Sequence, residues 1–170
     1  MTTSKTNVSL ILDVLEKANV RLVASLPDDW VAPLIKAVSS DERFIYAPVN
    51  REEAAVGLCS GSFFGGIGSV AVMGASGLMT CIYAITKVNY QYEIPLVLFT
   101  TLRGDMHDLR THQVANGVYM LPILDTLNMP YIIVDSREKI SDIDSAFAHA
   151  RVINRCVVVA FTRSVLRDSN

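Results

Sequence analysis

A chain of 170 residues with 51% hydrophobic content is long enough to bury roughly 70% of the surface its unfolded form exposes, which fits one compact domain. Its 17 acidic and 15 basic residues nearly cancel and are scattered, which excludes the basic stripe of a nucleic-acid binder and the polybasic helix of a lipid-surface binder. Cys59, Cys81 and Cys156 are odd in number, far apart and set among apolar residues, so they read as buried hydrophobes rather than as a disulfide framework or a C-x-x-C metal site.

Met1 to Asn7 carries no apolar signal core, so a reducing cytoplasm is the expected location. Val8, Ile11, Leu12, Leu15 and Ala18 then recur at helical spacing, and Arg21 to Leu26 follows as an apolar strand stopped by Pro27. Asp28-Asp29-Trp30 reads as a helix start, with Val31, Leu34, Ile35 and Val38 facing inward, and Phe44 to Val49 as the second strand. Asn50 is the expected N-cap of a helix over Arg51 to about Phe63, with Glu52 and Glu53 in its first turn. Those carboxylates open a segment, Ala54 to Thr86, that contains no charged residue. Two readings stand side by side: complementing the helix dipole, or a carboxylate at the edge of low dielectric whose proton affinity is set by its surroundings.

The uncharged segment is not a membrane span, because Gly57, Gly61, Gly65, Gly66, Gly68, Gly74 and Gly77 break it into pieces. Ser69 to Met73 reads as a strand, Gly74-Ala75-Ser76-Gly77 as a tight turn, Leu78 to Tyr90 as an apolar helix and Pro95 to Thr101 as the fourth strand. Leu102 to Gly117 reads as a long polar loop, of the kind that is functional or disordered. Val118 to Leu127 and Ile140 to Val152 follow as helices, Tyr131 to Val134 and Cys156 to Phe161 as strands. Alternating strands and helices predict a three-layer α/β/α domain over residues 1–170, core about 7–162, around a mostly parallel six-stranded sheet. Ligands of such sheets collect beyond the carboxyl ends of the strands, where Pro27 to Asp29, Asn50 to Glu53, Gly74 to Gly77 and Arg103 to Gln113 all fall.

Several short motifs fail. Gly65-Gly66-Ile67-Gly68 lies after a helix and before a strand, the reverse of a dinucleotide site. Gly74-Ala75-Ser76-Gly77 lacks the full nucleophile-elbow pattern, and its glycines serve the turn. His107 and His112 with Asp105 or Asp108 have no metal-site spacing, so no metal ligand is expected here, and His149 reads as an ordinary residue of an amphipathic helix.

Leu26-Pro27-Asp28-Asp29-Trp30, Asn50-Arg51-Glu52-Glu53-Ala54-Ala55 with Gly57 and Gly61, Ser76-Gly77-Leu78, Ile94-Pro95-Leu96 and Arg103-Gly104 together resemble the pyrimidine-binding domain of thiamine diphosphate enzymes. The likeness is strongest to sulfopyruvate and phosphonopyruvate decarboxylases, particularly alpha subunits of the former, and runs from about Asn7 to Phe161. It implies a subunit of a 2-oxo acid decarboxylase, a carbon–carbon lyase acting on 3-sulfopyruvate or a similar anionic 2-oxo acid. In that family a glutamate hydrogen-bonds a ring nitrogen of the cofactor's aminopyrimidine, and Glu52 matches it when Gly61 is matched to the family's glycine. A carboxyl group sharing that proton favours the tautomer whose nitrogen deprotonates the thiazolium carbon.

The same resemblance implies Asp29 and His112 as further catalytic residues and Pro27, Ser76, Gly77, Leu78 and Gln113 as cofactor contacts. Arg103, His107 and Arg110 are the residues expected to hold the substrate's second anionic group. Asp29 also has a plainer reading as a helix cap, and Thr80 departs from the family's asparagine. The G-D-G and N-N motifs that hold diphosphate and magnesium do not occur, since Gly104-Asp105-Met106 has no such continuation. The chain is therefore expected to bind thiamine diphosphate only at an interface with a second subunit that holds Mg2+, in a hetero-oligomer such as α2β2 or larger. A non-catalytic or regulatory domain, or a subunit of a carboligase, remain the alternatives.

Overall fold

Short, mostly apolar segments form the six strands of one sheet in the computed structural model, which describes residues 5–104, 108 and 110–167. Helix α1 (Asn7–Lys17) opens where Thr6 Oγ1 accepts the Ser9 amide at 3.1 Å, and leads into β1 (Val20–Ser25). There follow α2 (Ala32–Ser39), β2 (Ile45–Pro48), α3 (Glu52–Phe64), β3 (Gly68–Val72), α4 (Ala75–Thr80), α5 (Ile82–Ile85) and a π turn over Thr86–Tyr90. Then come β4 (Leu96–Thr101), α6 (Thr111–Thr126), β5 (Tyr131–Val134), a 3-10 turn over Glu138–Asp142, α7 (Ile143–Ile153), β6 (Cys156–Phe161) and α8 (Arg163–Leu166). Asn19, Asn128 and Asn154 take left-handed backbone, φ 60°, 49° and 50°, where α1, α6 and α7 turn into the next strand. Asparagine tolerates that conformation and does the work of a C-terminal glycine.

The strand order is β2-β1-β3-β4-β6-β5 and every pairing is parallel. Parallel strands need crossovers, and these cover both faces with helices. Alternate residues therefore feed two cores. Val70, Val72, Val97, Phe99, Val157 and Val159 pack with α1, α2 and α7, whereas Ala71, Leu96, Leu98, Cys156, Val158 and Ala160 pack with α3, α4, α5 and α6. Because β1 leads to β2 on one side and β3 lies on its other side, the order reverses between β1 and β3. A crevice opens at such a reversal, beyond the carboxyl ends of the strands.

Four local expectations change. The residue preceding α3 is Arg51, in extended backbone (φ −149°, ψ 145°) and without a side-chain capping bond, so Asn50 is not the cap. Asp28 and Asp29 do not start α2: Asp28 Oδ1 accepts the Trp30 amide at 2.9 Å in a turn, and the helix begins at Ala32. The apolar helix expected over Leu78 to Tyr90 starts earlier, at Ala75, and breaks at Cys81, whose amide is shared between the carbonyls of Gly77 (3.2 Å) and Leu78 (3.1 Å). The expected loop up to Gly117 is helical from Thr111. Helix α6 buries only Met120 and Leu124, so its first half has no inward apolar period to read. Gly117 lets this helix close on the end of β4: a Cβ there would stand 2.7 Å from Gly104 Cα.

Phe99 is fully buried between Phe161 and Phe147, with ring centroids at 5.0 and 6.3 Å. Phe99→Ala is expected to lower unfolding free energy by about 3–5 kcal/mol in urea titration, whereas Phe64→Ala changes it by less than about 0.5 kcal/mol. Phe64 is 74% exposed.

Candidate active site

Two carboxylates reach the turn that follows β3 at the reversal between β1 and β3. Asp28, on the loop after β1, lies against Gly74, where an added Cβ would stand 2.7 Å from its Oδ2. Glu52, first residue of α3, lies against Gly77: a Cβ there would stand 2.7 Å from Glu52 Cδ and closer still to Oε1. Any side chain at Gly77 would displace the carboxylate, so the glycine is what allows the approach. Thr101 Oγ1, at the end of β4, accepts the Ala75 amide at 3.1 Å and ties the turn to the sheet. Gly77 and Leu78 are buried, while Ser76 and Pro27 are exposed.

The two glutamates at the head of α3 differ. Glu53 lies 3.5 Å from Arg51 Nε, and its own backbone amide, then Arg51, hold its pKa below the usual carboxylate range. Half-buried Glu52 makes no hydrogen bond and no ion pair among the described residues. Thr80 turns its hydroxyl back onto the Gly77 carbonyl at 2.8 Å. Burial and then the charges of Glu53 and Glu52 push the Cys81 thiol up to about 12, and burial pushes Cys59 up to about 11, so neither offers a thiolate near neutral pH.

A second group gathers where β4 ends. Arg103 is 3% exposed and binds Asp108 through two nitrogens, Nε at 2.7 Å and Nη2 at 3.1 Å, while its guanidinium stacks 3.9 Å from the Trp30 ring centroid. Asp108 also accepts the amides of Gly104 (3.2 Å) and Arg110 (3.4 Å). Arg103 is thus engaged inside the fold, and Arg110 is the more exposed cation. Arg110 Nη2 lies 3.3 Å from Asp29 Oδ2, and Arg167 Nη2 lies 2.6 Å from Asp29 Oδ1. His112 is exposed in the first turn of α6; beside it, Gln113 Oε1 accepts a hydrogen bond from Asn116 Nδ2 at 2.6 Å. Asp105 and His107 lie outside the described residues. Among the described residues no cluster of three His, Cys, Asp or Glu could hold a metal ion, and no helix is long and apolar enough to cross a membrane.

The sequence reasoning missed Thr101, Trp30's stacking role, Asp108 as Arg103's partner and Arg167. Only Trp30, the single tryptophan, carried a compositional signal. A hollow of about 110 Å³ between Val20, Phe63, Ile67 and Phe147 opens at the opposite, amino-terminal edge of the sheet, away from every group named above.

No family model matches the chain. It is 30% identical over 131 residues to the sulfopyruvate decarboxylase subunit alpha of Methanococcus maripaludis, covering 77% of this chain and 76% of that one. To the sulfopyruvate decarboxylase subunit alpha of Methanocaldococcus jannaschii it is 29% identical over 120 residues, 71% of each chain. The sulfopyruvate decarboxylase of Methanosarcina acetivorans is 27% identical over 140 residues, 82% of this chain but 36% of the relative.

The main folded-state ion pair of the site makes its own prediction. Arg103, then the amides of Gly104 and Arg110, hold the Asp108 carboxyl at about 2, against 3.8 when free. A depressed carboxyl stabilises the fold fully above its free value, and that contribution is lost as pH falls from 3.8 through about 2. Asp108→Asn is expected to cost about 3 kcal/mol at pH 7, because it leaves Arg103 buried without its counter-charge. The gap between the urea midpoints of the two proteins should narrow from pH 4 to pH 2; a constant gap would contradict this.

Proposed function

This chain belongs to the family of sulfopyruvate decarboxylase alpha subunits, a subunit of a carbon–carbon lyase, and from that premise we propose that it supplies the pyrimidine-binding half of a thiamine diphosphate site. The substrate proposed is 3-sulfopyruvate or a similar anionic 2-oxo acid, decarboxylated only when a separate subunit brings the diphosphate and Mg2+ site. The observation that carries this reading is Glu52: a half-buried carboxylate, without a partner among the described residues, seated over Gly77 at the reversal of strand order.

The residues fit the cofactor. The glycines at 74 and 77 keep Cβ atoms out of the space beside the carboxylates, and a carboxyl group with no other partner among the described residues can carry the proton that a basic ring nitrogen accepts. Thiamine diphosphate, when bound, supplies the ring that accepts the electrons a 2-oxo acid releases with carbon dioxide. Glu52 would hold the proton it shares with the pyrimidine on a carboxylate oxygen. Buried Gly77 and Leu78, with exposed Ser76 and Pro27, would border the ring, and Gln113 would meet it from α6. Asp29 and His112 would face the reacting carbon, and Arg110, with His107, the second anionic group. Arg103 would act from behind, since Asp108 already satisfies two of its nitrogens.

An apolar face supports the separate subunit. Leu58 and Phe64 of α3 are 43% and 74% exposed, and Val118 and Tyr119 of α6 each 56%. Gly57 and Gly61, on the same exposed stripe as Leu58, have nothing within 4 Å of a built Cβ, so a partner's surface could approach the helix backbone. The match to about a third of the longer relative agrees with a catalytic unit that needs more chain than this one.

Mixing the chain with a subunit carrying the G-D-G and N-N motifs, thiamine diphosphate and Mg2+ should release carbon dioxide from 3-sulfopyruvate. Glu52→Ala should cut the rate at least about a hundredfold without lowering the melting temperature, since the side chain bonds to nothing among the described residues. Full activity in that variant would overturn the assignment. Gly61→Trp should leave the chain folded but prevent its co-elution with the partner.

A further inference from the structure

Asp29 is held from two directions by residues remote in sequence. Arg167, just beyond α8, donates Nη2 to Asp29 Oδ1 at 2.6 Å and to its backbone carbonyl at 3.0 Å. Arg110, immediately before α6, donates Nη2 to Oδ2 at 3.3 Å. Three connections at the carboxyl edge of the sheet therefore converge on one carboxylate. Two guanidiniums on one carboxylate leave an excess of positive charge. The nearest other acid in sequence, Asp28, is turned toward Gly74 and the Trp30 amide.

The side chains are 44% exposed for Asp29, 56% for Arg110 and 38% for Arg167. Ion pairs this open contribute little, typically about 0–1 kcal/mol each, so an incoming anion can displace the carboxylate. Guanidinium forks suit an anion that offers two or more oxygens on one centre. We infer that Arg110 and Arg167 form the seat for the substrate's sulfonate, and that Asp29 occupies this seat in the free chain. Arg167 thereby becomes a specificity residue that no motif indicated. Substrate arrival exchanges one anion for another and releases Asp29 toward the reacting carbon.

The inference rests on the proposed substrate class, but its test needs neither partner nor turnover. Isothermal titration of the full chain with sulfoacetate, against acetate, reads the seat directly. Arg110→Gln and Arg167→Gln should each weaken sulfoacetate binding about tenfold. Asp29→Asn, which removes the internal competitor, should tighten it several-fold. These opposite signs separate an exchange seat from a merely structural ion pair, whose loss would weaken binding in all three variants. Sulfoacetate binding that is unchanged in the arginine variants, or weakened in Asp29→Asn, would overturn the inference. Loss of decarboxylation in the assembly with these binding signs retained would instead count against the catalytic reading alone.

Discussion

The close approach of Glu52 to Gly77 is the contact on which the rest of the site depends. It brings the head of α3 onto the turn after β3 and seats a carboxylate where a side chain would otherwise stand. Both elements arrive there because β1 separates β2 from β3 in a parallel sheet, so the connection after β2 must cross β1 before the chain returns. Thr101 fastens the turn from the β4 side through the Ala75 amide. The carboxylate is thus positioned by topology and by a missing Cβ, and it makes no hydrogen bond among the described residues.

A second constraint sits beside it. Arg103 and Asp108 are each about 2% exposed as side chains, so the pair is stable only because each supplies the other's counter-charge and nearby amides complete the bonding. Trp30 covers the guanidinium on one face, which joins the loop after β1 to the end of β4. The loop that carries Asp28 and Asp29 is therefore anchored from within. The outer pair, Arg110 and Arg167, is left half exposed and able to exchange partners.

Much of the fold was legible because strands buried on both faces read as continuous β-branched runs. Cys156 to Phe161, buried throughout, falls where the pattern put it, and so does Tyr131 to Val134, a partly buried edge strand with the same β-branched run. The first turns of α6 were not, because they bury almost nothing and their polar residues resemble a loop. Glu52 stood out through its position at the edge of the uncharged run and through family resemblance, but its seat against Gly77 joins the first turns of two separate helices, α3 and α4, and leaves no mark in local sequence. Arg167 was illegible for a simpler reason: a single arginine beyond the last strand has no periodicity and no neighbour in sequence to give it meaning.

The exposed apolar stripe of α3 begins within a turn or two of Glu52, so a partner docked on it would also help enclose the crevice. Burial of that kind would make the carboxylate's proton sharing stronger than it is at an open edge. A crystal structure of the chain assembled with its partner and thiamine diphosphate tests the account most directly. The account predicts a Glu52 carboxylate oxygen within hydrogen-bond distance of a pyrimidine ring nitrogen, with the ring beside Gly77. A pyrimidine bound elsewhere, or a ring nitrogen facing any other residue, would contradict it.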